Sequence, residues 1–129
     1  MNAVSPGLDV LTMGRTGVDL YPLQQGIGLE EVTSFGKFLG GSPTNVAVAA
    51  ARHERSTAVI TRTGNDPLGV FIRQELERLN VSAEYATAIE GMKTPLVLCE
   101  IFAPAHIHLY FSRDNIVPHV TSGAVVTTA

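Results

Sequence analysis

The chain has 129 residues, 45% of them hydrophobic and 16% charged, which suits one globular domain with its own core. Its net charge of −3 at pH 7, without any basic block, gives no electrostatic basis for binding nucleic acid or an anionic membrane. The single cysteine, Cys99, excludes an internal disulfide and a cysteine-rich zinc site. The cysteine count and an N-terminus without a basic, apolar leader pattern predict a reducing, cytoplasmic setting.

The first part of the chain predicts strands followed by a helix. Residues 8–14 are a short apolar run closed by a glycine, which is typical of a buried strand. An extended segment with Asp19 follows, and residues 26–41 predict one or two more short strands. Ser42 is a candidate N-cap and Pro43 suits the first helical position, so we expect a helix to begin there.

A second helix is predicted after a β-branched, strand-like run at residues 56–64. Asp66 can cap its start, with Pro67 in the first turn, and Asn80 can take the left-handed position that ends it. Between these residues, apolar side chains recur on one face at helical spacing: Leu68, Phe71, Ile72, Leu76 and Leu79.

The remainder predicts strands. Residues 83–89 form one candidate, and residues 96–102 and 107–113 predict a hairpin with Pro104 in its loop. Strands that alternate with helices indicate an α/β sheet with crossover connections. Residues 114–129 lack helical periodicity; a strand at 117–126 and a loose tail are both compatible with this sequence.

The glycine pair before the first helix is the most suggestive local feature. Gly40 and Gly41 would let a ligand approach the backbone at a helix N-terminus, although a tight turn with ordinary capping explains them equally well. Asp19 follows the first strand, where ligands collect in open α/β sheets, or is a solvated loop residue. The glycine spacings fit neither the P-loop nor the dinucleotide-binding fingerprint.

Other polar residues give weaker signals. His106 and His108 alternate along one strand and make half of a zinc site, but no third ligand is identifiable, so a solvated strand face is favoured and no metal is predicted. Arg113 could bind a carboxylate or phosphate, or be a surface arginine. No nucleophile or general base can be assigned from spacing, so no catalytic residue is predicted in this chain.

Together these motifs resemble a known family. The segment "GGSPTNVAVAAAR…TAVITRTGNDPLG" resembles the N-terminal signature of the ribokinase-like (PfkB) carbohydrate kinases, including Asn45 and the spacing Gly64-x-Asp66-x-x-Gly69. The opening "LDVLTMGRTGVDLYPLQ" adds the first strand and its aspartate. The resemblance spans about residues 8–113. It is strongest to 5-dehydro-2-deoxygluconokinases, with 2-keto-3-deoxygluconate kinases and fructokinases as alternatives.

The resemblance implies a fold and a site. The expected fold is α/β and ribokinase-like, an N-terminal portion of a mostly parallel sheet with helices plus a small β-sheet lid, incomplete relative to the family. Asp19 would accept hydrogen bonds from sugar hydroxyls, and Asn45 would hydrogen-bond the substrate. Gly40 and Gly41 would let that substrate approach the backbone, and Arg113 would meet an acid or keto group.

The resemblance also implies a reaction. The family transfers the γ-phosphate of ATP, with Mg²⁺, to a sugar hydroxyl; here the expected substrate is 5-dehydro-2-deoxygluconate, or alternatively 2-keto-3-deoxygluconate or fructose. The family's second signature, Gly-Ala-Gly-Asp, supplies the catalytic base and an anion hole, and the sequence does not contain it. We therefore expect no ATP or Mg²⁺ site in this chain and no activity from it alone.

Two further departures from the family bear on organisation. His53-Glu54 stands where the family has Leu-Gly, so Glu54 either adopts a strained left-handed turn or ends the helix differently. Residues 114–129 no longer resemble the family, so the predicted organisation is a substrate-binding part at 1–113, including the lid strands, and a divergent tail at 114–129.

Three functional hypotheses follow. The first is part of a sugar kinase; the second is a non-catalytic sugar-binding or dimerising module; the third is a truncated gene product without function. The expected partner is a small sugar or sugar acid, not nucleic acid or membrane. A half-built sheet would also expose edges and apolar faces, which predicts self-association through lid strands or sheet edges.

Overall fold

The computed structural model describes residues 7–103, 106–112 and 114–117. Within these residues the chain forms eight strands and two helices, and the strands make two sheets. In chain order the elements are β1 (Val10–Met13), β2 (Gly17–Pro22), β3 (Phe35–Gly40), α1 (Ser42–Arg52), β4 (Thr57–Gly64), α2 (Pro67–Arg78), β5 (Val81–Ser82), β6 (Ala86–Ile89), β7 (Leu96–Ala103) and β8 (His106–Phe111).

The main sheet is parallel and carries both helices. β4 pairs in parallel with β1, β5 and β6. The β-branched residues of β4 are mostly buried, as expected for a strand covered by helices. Helix α2 contributes Ile72 and Leu76 to the core, where they are fully buried with Val59 and Val81. The predicted strand–helix–strand organisation of this part is confirmed.

The second sheet has the order β3-β2-β7-β8, and we call it the lid sheet. β2 is antiparallel to β3 and parallel to β7, while β7 and β8 form the predicted antiparallel hairpin. Side chains alternate along each strand, so the lid sheet has two different faces. One face packs Leu20, Leu39 and Leu96 against the core cluster that contains Val18. The opposite face carries Asp19.

The ends of helix α2 match the sequence prediction. Asp66 is the N-cap, and its Oδ1 accepts a hydrogen bond of 2.8 Å from the Gly69 N–H. Pro67 opens the helix, and Asn80 follows it with a left-handed φ of 62°. Each of these features has a signal in residues that are close together in the sequence, which explains why the sequence predicts them.

The start of helix α1 differs from the prediction. The N-cap is Gly41, with φ 110°, and Ser42 is the first helical residue, so the prediction of Ser42 as the cap is wrong. The reason is that the Gly41 carbonyl already accepts the first helical hydrogen bond, from the Asn45 N–H at 3.0 Å. Pro43 accordingly occupies the second helical position, where its missing N–H also costs nothing.

The end of helix α1 resolves the two alternatives for Glu54. Glu54 has φ 59°, the left-handed conformation that favours glycine. Its N–H donates to the Ala51 carbonyl at 3.0 Å, and the Arg55 N–H donates to the Ala50 carbonyl at 3.2 Å. This is the hydrogen-bond pattern of a Schellman motif, so the helix ends as a glycine would end it and Glu54 carries the steric strain.

Residues 114–117 pack against the body of the domain. Ile116 forms a parallel bridge with Lys93, and Val117 is buried with its N–H donating to the Lys93 carbonyl at 3.0 Å. The candidate strand at 117–126 lies outside the described residues except for Val117. Neither helix in the described part of the chain has the length and apolar character needed to cross a membrane.

Candidate functional site

A cavity of about 610 Å³ opens between the lid sheet and the N-terminal end of helix α1. This volume lies within the range of small-molecule sites, roughly 300–1,000 Å³. Its walls come from four places in the sequence: the β1–β2 turn with β2, the β3–α1 junction, strands β7 and β8, and Ile116. Residues far apart along the chain therefore meet around one space.

Asp19 provides a carboxylate on the cavity wall. It lies on β2, with Phe38 opposite it on β3 and Val97 beside it on β7. The side chain is half-buried, and burial raises the pKa of Asp19 above its ordinary value. No side-chain hydrogen bond of Asp19 occurs within the described residues, so its oxygens are available to a ligand in the cavity.

Gly40 makes room for the Asp19 carboxyl. The two residues lie diagonally across the β2–β3 pair, with Gly40 opposite Gly17. A Cβ on Gly40 would lie 2.6 Å from the Asp19 Cγ, well inside van der Waals contact. From the sequence, Gly40 is expected to let a substrate approach the backbone. In the structure, the absence of a side chain at Gly40 also leaves the space that the Asp19 carboxyl occupies.

Gly41 makes room for the β1–β2 turn. A Cβ there would collide with the Arg15 carbonyl oxygen and lie 3.1 Å from the Thr16 Cα, and its φ of 110° is strained for any other residue. The same turn is joined to helix α1 by a buried hydrogen bond of 2.9 Å between the hydroxyls of Thr16 and Thr44. The N-terminus of α1 is thereby held at the edge of the cavity.

The helix terminus contributes polarity to the cavity. Gly41 has no side chain with which to cap the helix, and α1 has no acidic residue in its first turn. A helix N-terminus carries a partial positive charge and free N–H groups. Asn45, one turn into the helix, is exposed and lines the cavity, so its amide can both donate to and accept from a ligand.

Arg15 is a cavity residue that the sequence did not single out. It lies in the turn between β1 and β2, and its Nε is out of contact with solvent without a hydrogen-bond partner. No ion pair joins Arg15 to another described residue. Arg15 and Asp19 are thus charged groups of opposite sign around the same cavity, and neither neutralises the other.

Tyr21 and Cys99 were also missed. Burial, and then the proximity of Cys99 and Asp19, raise the pKa of the Tyr21 hydroxyl. Burial likewise raises the pKa of Cys99. The Tyr21 ring meets Phe38 edge-on at 5.5 Å between centroids. Strand alternation places Tyr21 on the same face as Asp19, so the sequence pattern alone could have identified Tyr21 as a cavity residue. Cys99 could be identified only once the pairing of β2 with β7 was known.

The cavity brings together four of the five predicted site residues: Asp19, Gly40, Gly41 and Asn45. The fifth, Arg113, lies outside the described residues. His106 and His108 lie on β8, and both are exposed. In the described ranges no three His, Cys, Asp or Glu side chains come close enough to hold a metal ion.

The family model that matches this sequence is that of the pfkB family carbohydrate kinases, over residues 8–118. Among the curated relatives of this chain are the 5-dehydro-2-deoxygluconokinases of Geobacillus thermodenitrificans and Listeria innocua. That of Geobacillus thermodenitrificans is 34% identical over 110 residues, covering 84% of this chain and 33% of the relative. That of Listeria innocua is 29% identical over 109 residues, covering 84% and 34%. The chain thus spans about a third of the length of these relatives.

Solved structures agree with the sequence comparison. An uncharacterised sugar kinase from Pyrococcus horikoshii, determined in complex with ATP, superposes with a TM-score of 0.74 at 29% identity, covering 82% of this chain and 34% of that one. A PfkB protein from Polaromonas superposes with a TM-score of 0.78 at 22% identity and supports the fold alone. The expected ribokinase-like α/β fold with a small additional sheet is confirmed. By sequence match and by fold, this chain belongs to the pfkB family of carbohydrate kinases.

Proposed function

We propose that this chain is the acceptor-binding part of a sugar kinase that acts on 5-dehydro-2-deoxygluconate or a similar sugar acid. The observation that carries the proposal is the convergence of Asp19, Gly40, Gly41 and Asn45 on one cavity. Its volume of about 610 Å³ lies within the range of small-molecule sites and is sufficient for a monosaccharide. The names of the curated relatives support the choice of substrate.

The chemistry of the proposed site is recognition of hydroxyl groups. A carboxylate accepts hydrogen bonds from two neighbouring hydroxyls, and such charge-assisted bonds are short and strong. Asp19 is half-buried, so these bonds would form with partial exclusion of water, where they are worth more than at the surface. Asn45 would add an amide, which fixes the orientation of the ring or chain. Because Gly40 has no side chain, the Asp19 carboxyl can occupy this position.

The reaction that we propose for the complete kinase is transfer of the ATP γ-phosphate to a hydroxyl of the bound sugar acid. Phosphoryl transfer depends on in-line positioning and on stabilisation of charge around the γ-phosphate by cations and backbone N–H groups. This chain's residues would hold and orient the acceptor. When bound, ATP with Mg²⁺ would supply the phosphoryl group and the countercharge, and we assign no residue of this chain to them.

We further propose that the 129 residues bind the acceptor but do not phosphorylate it. The Gly-Ala-Gly-Asp sequence, which the family uses for its base and anion hole, does not occur in this chain. Without those groups, the bound hydroxyl has no partner to take its proton and the transferring phosphoryl group has no charge stabilisation.

Calorimetric titration of the chain tests acceptor binding. The ligands are 5-dehydro-2-deoxygluconate, 2-keto-3-deoxygluconate and fructose. Asp19→Asn, which keeps the shape and removes the charge, should weaken binding about 10- to 100-fold, as expected for losing a hydrogen bond to a charged group. Glu84→Gln is the matched control, because Glu84 is exposed and does not line the cavity. Absence of binding by all three ligands, or equal affinities for Asp19→Asn and the wild type, would count against the proposal.

A coupled assay for ADP release tests the second proposal. The chain is incubated with ATP, Mg²⁺ and the sugar that binds best in calorimetry. We expect the rate to equal that of Asp19→Asn, which serves as the background. A wild-type rate clearly above this background would show that the chain transfers phosphate unaided and overturn the proposal.

We also propose that the isolated chain self-associates through strand β1. β1 pairs with β4 and with no other strand of the described residues, and its Leu11 and Met13 are 51% and 46% exposed. An exposed strand edge with apolar side chains favours pairing between chains. Light scattering should show oligomers that Leu11→Thr with Met13→Lys reduces, whereas a monomeric wild type at high concentration would contradict this.

A further inference from the structure

The cavity contains a cation that the proposed hydroxyl recognition does not use. Arg15 lines the cavity, and its Nε–H is shielded from solvent without an acceptor. A buried donor on a charged group is costly to leave unpaired. No other described residue provides an ion pair for this guanidinium. The side chain therefore has unused capacity for an anionic partner.

The surroundings of Arg15 add positive potential. The Arg15 carbonyl packs directly against Gly41, the N-cap of α1, so the guanidinium belongs to the segment that meets the helix N-terminus. The first turn of α1 has no acidic residue to offset the partial positive charge of that terminus. Among the described residues that line the cavity, the negative charge comes from Asp19, which lies on the lid sheet. The cavity is thus positive toward the turn and helix and negative toward the lid sheet.

We propose that Arg15 is a specificity-determining residue that binds the carboxylate of a sugar acid while Asp19 binds its hydroxyls. The proposal rests on the acceptor-binding function above and deepens it. A guanidinium presents several N–H donors in a planar fork that matches a carboxylate. A ligand with an anion at one end and hydroxyls along its length complements both charged groups that line the cavity, whereas a neutral sugar complements Asp19 alone.

A phosphate group has related chemistry and must be distinguished from a carboxylate. ATP or inorganic phosphate could occupy an arginine near a helix N-terminus as well. The two sources differ in what they require: a carboxylate on the sugar makes Arg15 important for the acceptor in the absence of any nucleotide. The test therefore contains separate arms for a sugar acid, a neutral sugar, and ATP with inorganic phosphate.

The first measurement compares affinities without nucleotide. Arg15→Gln should weaken binding of 5-dehydro-2-deoxygluconate about 10- to 100-fold, the effect of losing a charge-assisted hydrogen bond. Arg15→Lys keeps the charge without the fork and should give an intermediate loss. Fructose, as the neutral arm, should bind both variants within about threefold of the wild type. Equal affinity of the sugar acid for Arg15→Gln and the wild type would overturn the proposal.

The second measurement reports on the environment of the Arg15 guanidinium. In ¹H–¹⁵N spectra of the wild type, the Arg15 Nε–H resonance, assigned by its loss in Arg15→Gln, should shift on addition of the sugar acid and remain in place with fructose. A shift with inorganic phosphate or ATP but not with the sugar acid would assign Arg15 to phosphate and refute the carboxylate proposal. A shift of equal size with fructose would refute it as well.

The outcomes separate the two proposals. If sugars bind, and Asp19→Asn weakens them but Arg15→Gln does not, the acceptor-binding function stands and the role of Arg15 is refuted. If neither the acid nor fructose binds the wild type, the acceptor-binding function fails, and the role of Arg15 fails with it. Thermal melting of Arg15→Gln controls for folding, and we expect it to melt at or above the wild-type temperature, because an unpaired donor has been removed.

Discussion

Gly40→Ala should weaken sugar binding without weakening the fold. The added methyl group would lie 2.6 Å from the Asp19 Cγ and closer still to one of the carboxylate oxygens. Ordinary contact between such atoms begins near about 3.5 Å, so the carboxyl must retreat by roughly 1 Å. A hydrogen bond of about 2.7 Å from a ligand hydroxyl would stretch beyond the range in which it contributes.

The size of the effect follows from that displacement. Loss of one hydrogen bond to a charged group corresponds to about 1.5–3 kcal/mol, or about 10- to 100-fold in Kd. Stability should change in the opposite direction or hardly at all. Alanine costs less backbone entropy than glycine in a strand, by about 0.5–1 kcal/mol, and the displaced carboxyl moves into the open cavity.

The assay is calorimetric titration with the best-binding sugar, combined with thermal melting. Gly36→Ala is a matched control in the same strand and on the same face, because its added Cβ would meet the ring of Phe38, which is 51% exposed, and not the Asp19 carboxyl. Its sugar affinity should remain within about threefold of wild type. A double-mutant cycle makes the reasoning specific: in an Asp19→Ala background, Gly40→Ala should cause no further loss. Full additivity of the two substitutions would refute the reasoning.

Three further predictions concern stability. Glu54→Gly should raise the free energy of unfolding by about 0.5–1 kcal/mol, because it removes a left-handed strain of about 1–2 kcal/mol and adds the backbone entropy cost of glycine. Asn80→Gly, at the equivalent end of α2, should change the free energy of unfolding little. Equal effects of the two substitutions in chemical denaturation would contradict this. Burial raises the pKa of Asp66, but hydrogen bonds from Thr94 and from backbone N–H groups outweigh burial and lower that pKa. The carboxylate therefore stabilises the fold above pH 3.8 and loses this effect as the pH falls further. The melting temperature of Asp66→Asn should lie below that of the wild type at pH 7, and the two should converge in acid. Burial raises the pKa of Asp19, so the protonated carboxyl favours the folded state; this contribution is complete below pH 3.8 and is lost as the pH rises through the folded-state pKa. The melting temperature of Asp19→Asn should therefore equal or exceed that of the wild type at pH 7. A clearly lower melting temperature there would contradict this sign.

Local sequence accounts for the elements that were predicted best. Helix α2 has its cap, its first proline and its left-handed terminal residue within fifteen positions of one another, and its apolar face is set by the helical period. The start of α1 was placed one residue late, because its cap is chosen by a tertiary contact. Gly41 adopts φ 110° where the β1–β2 turn packs against it, and nothing adjacent in the sequence reports that contact.

The residues of the candidate site likewise fall into those that the sequence identified and those that only the structure revealed. Asp19, Gly40, Gly41 and Asn45 were found because a family resemblance marks them, and the structure brings all four to one cavity. Arg15, Tyr21 and Cys99 carry no such mark. Cys99 reaches the cavity through the parallel pairing of β2 with β7, which joins Val18 to Leu96, 78 positions further along the chain, and strand register of this kind is not encoded in any short pattern.

Under the proposed function, acceptor recognition and phosphoryl transfer use different groups. The Asp19 carboxylate, which we propose binds hydroxyls, lies on the β2–β3 pair beside Gly40, and the helix terminus is held by the hydrogen bond between Thr16 and Thr44. These supports lie within the described residues, so the proposed acceptor affinity would depend on contacts that this chain makes with itself. Transfer needs charge stabilisation at the γ-phosphate, which involves different groups. The proposed function therefore predicts that affinity and turnover respond to different substitutions, and that this chain binds its acceptor without transferring phosphate.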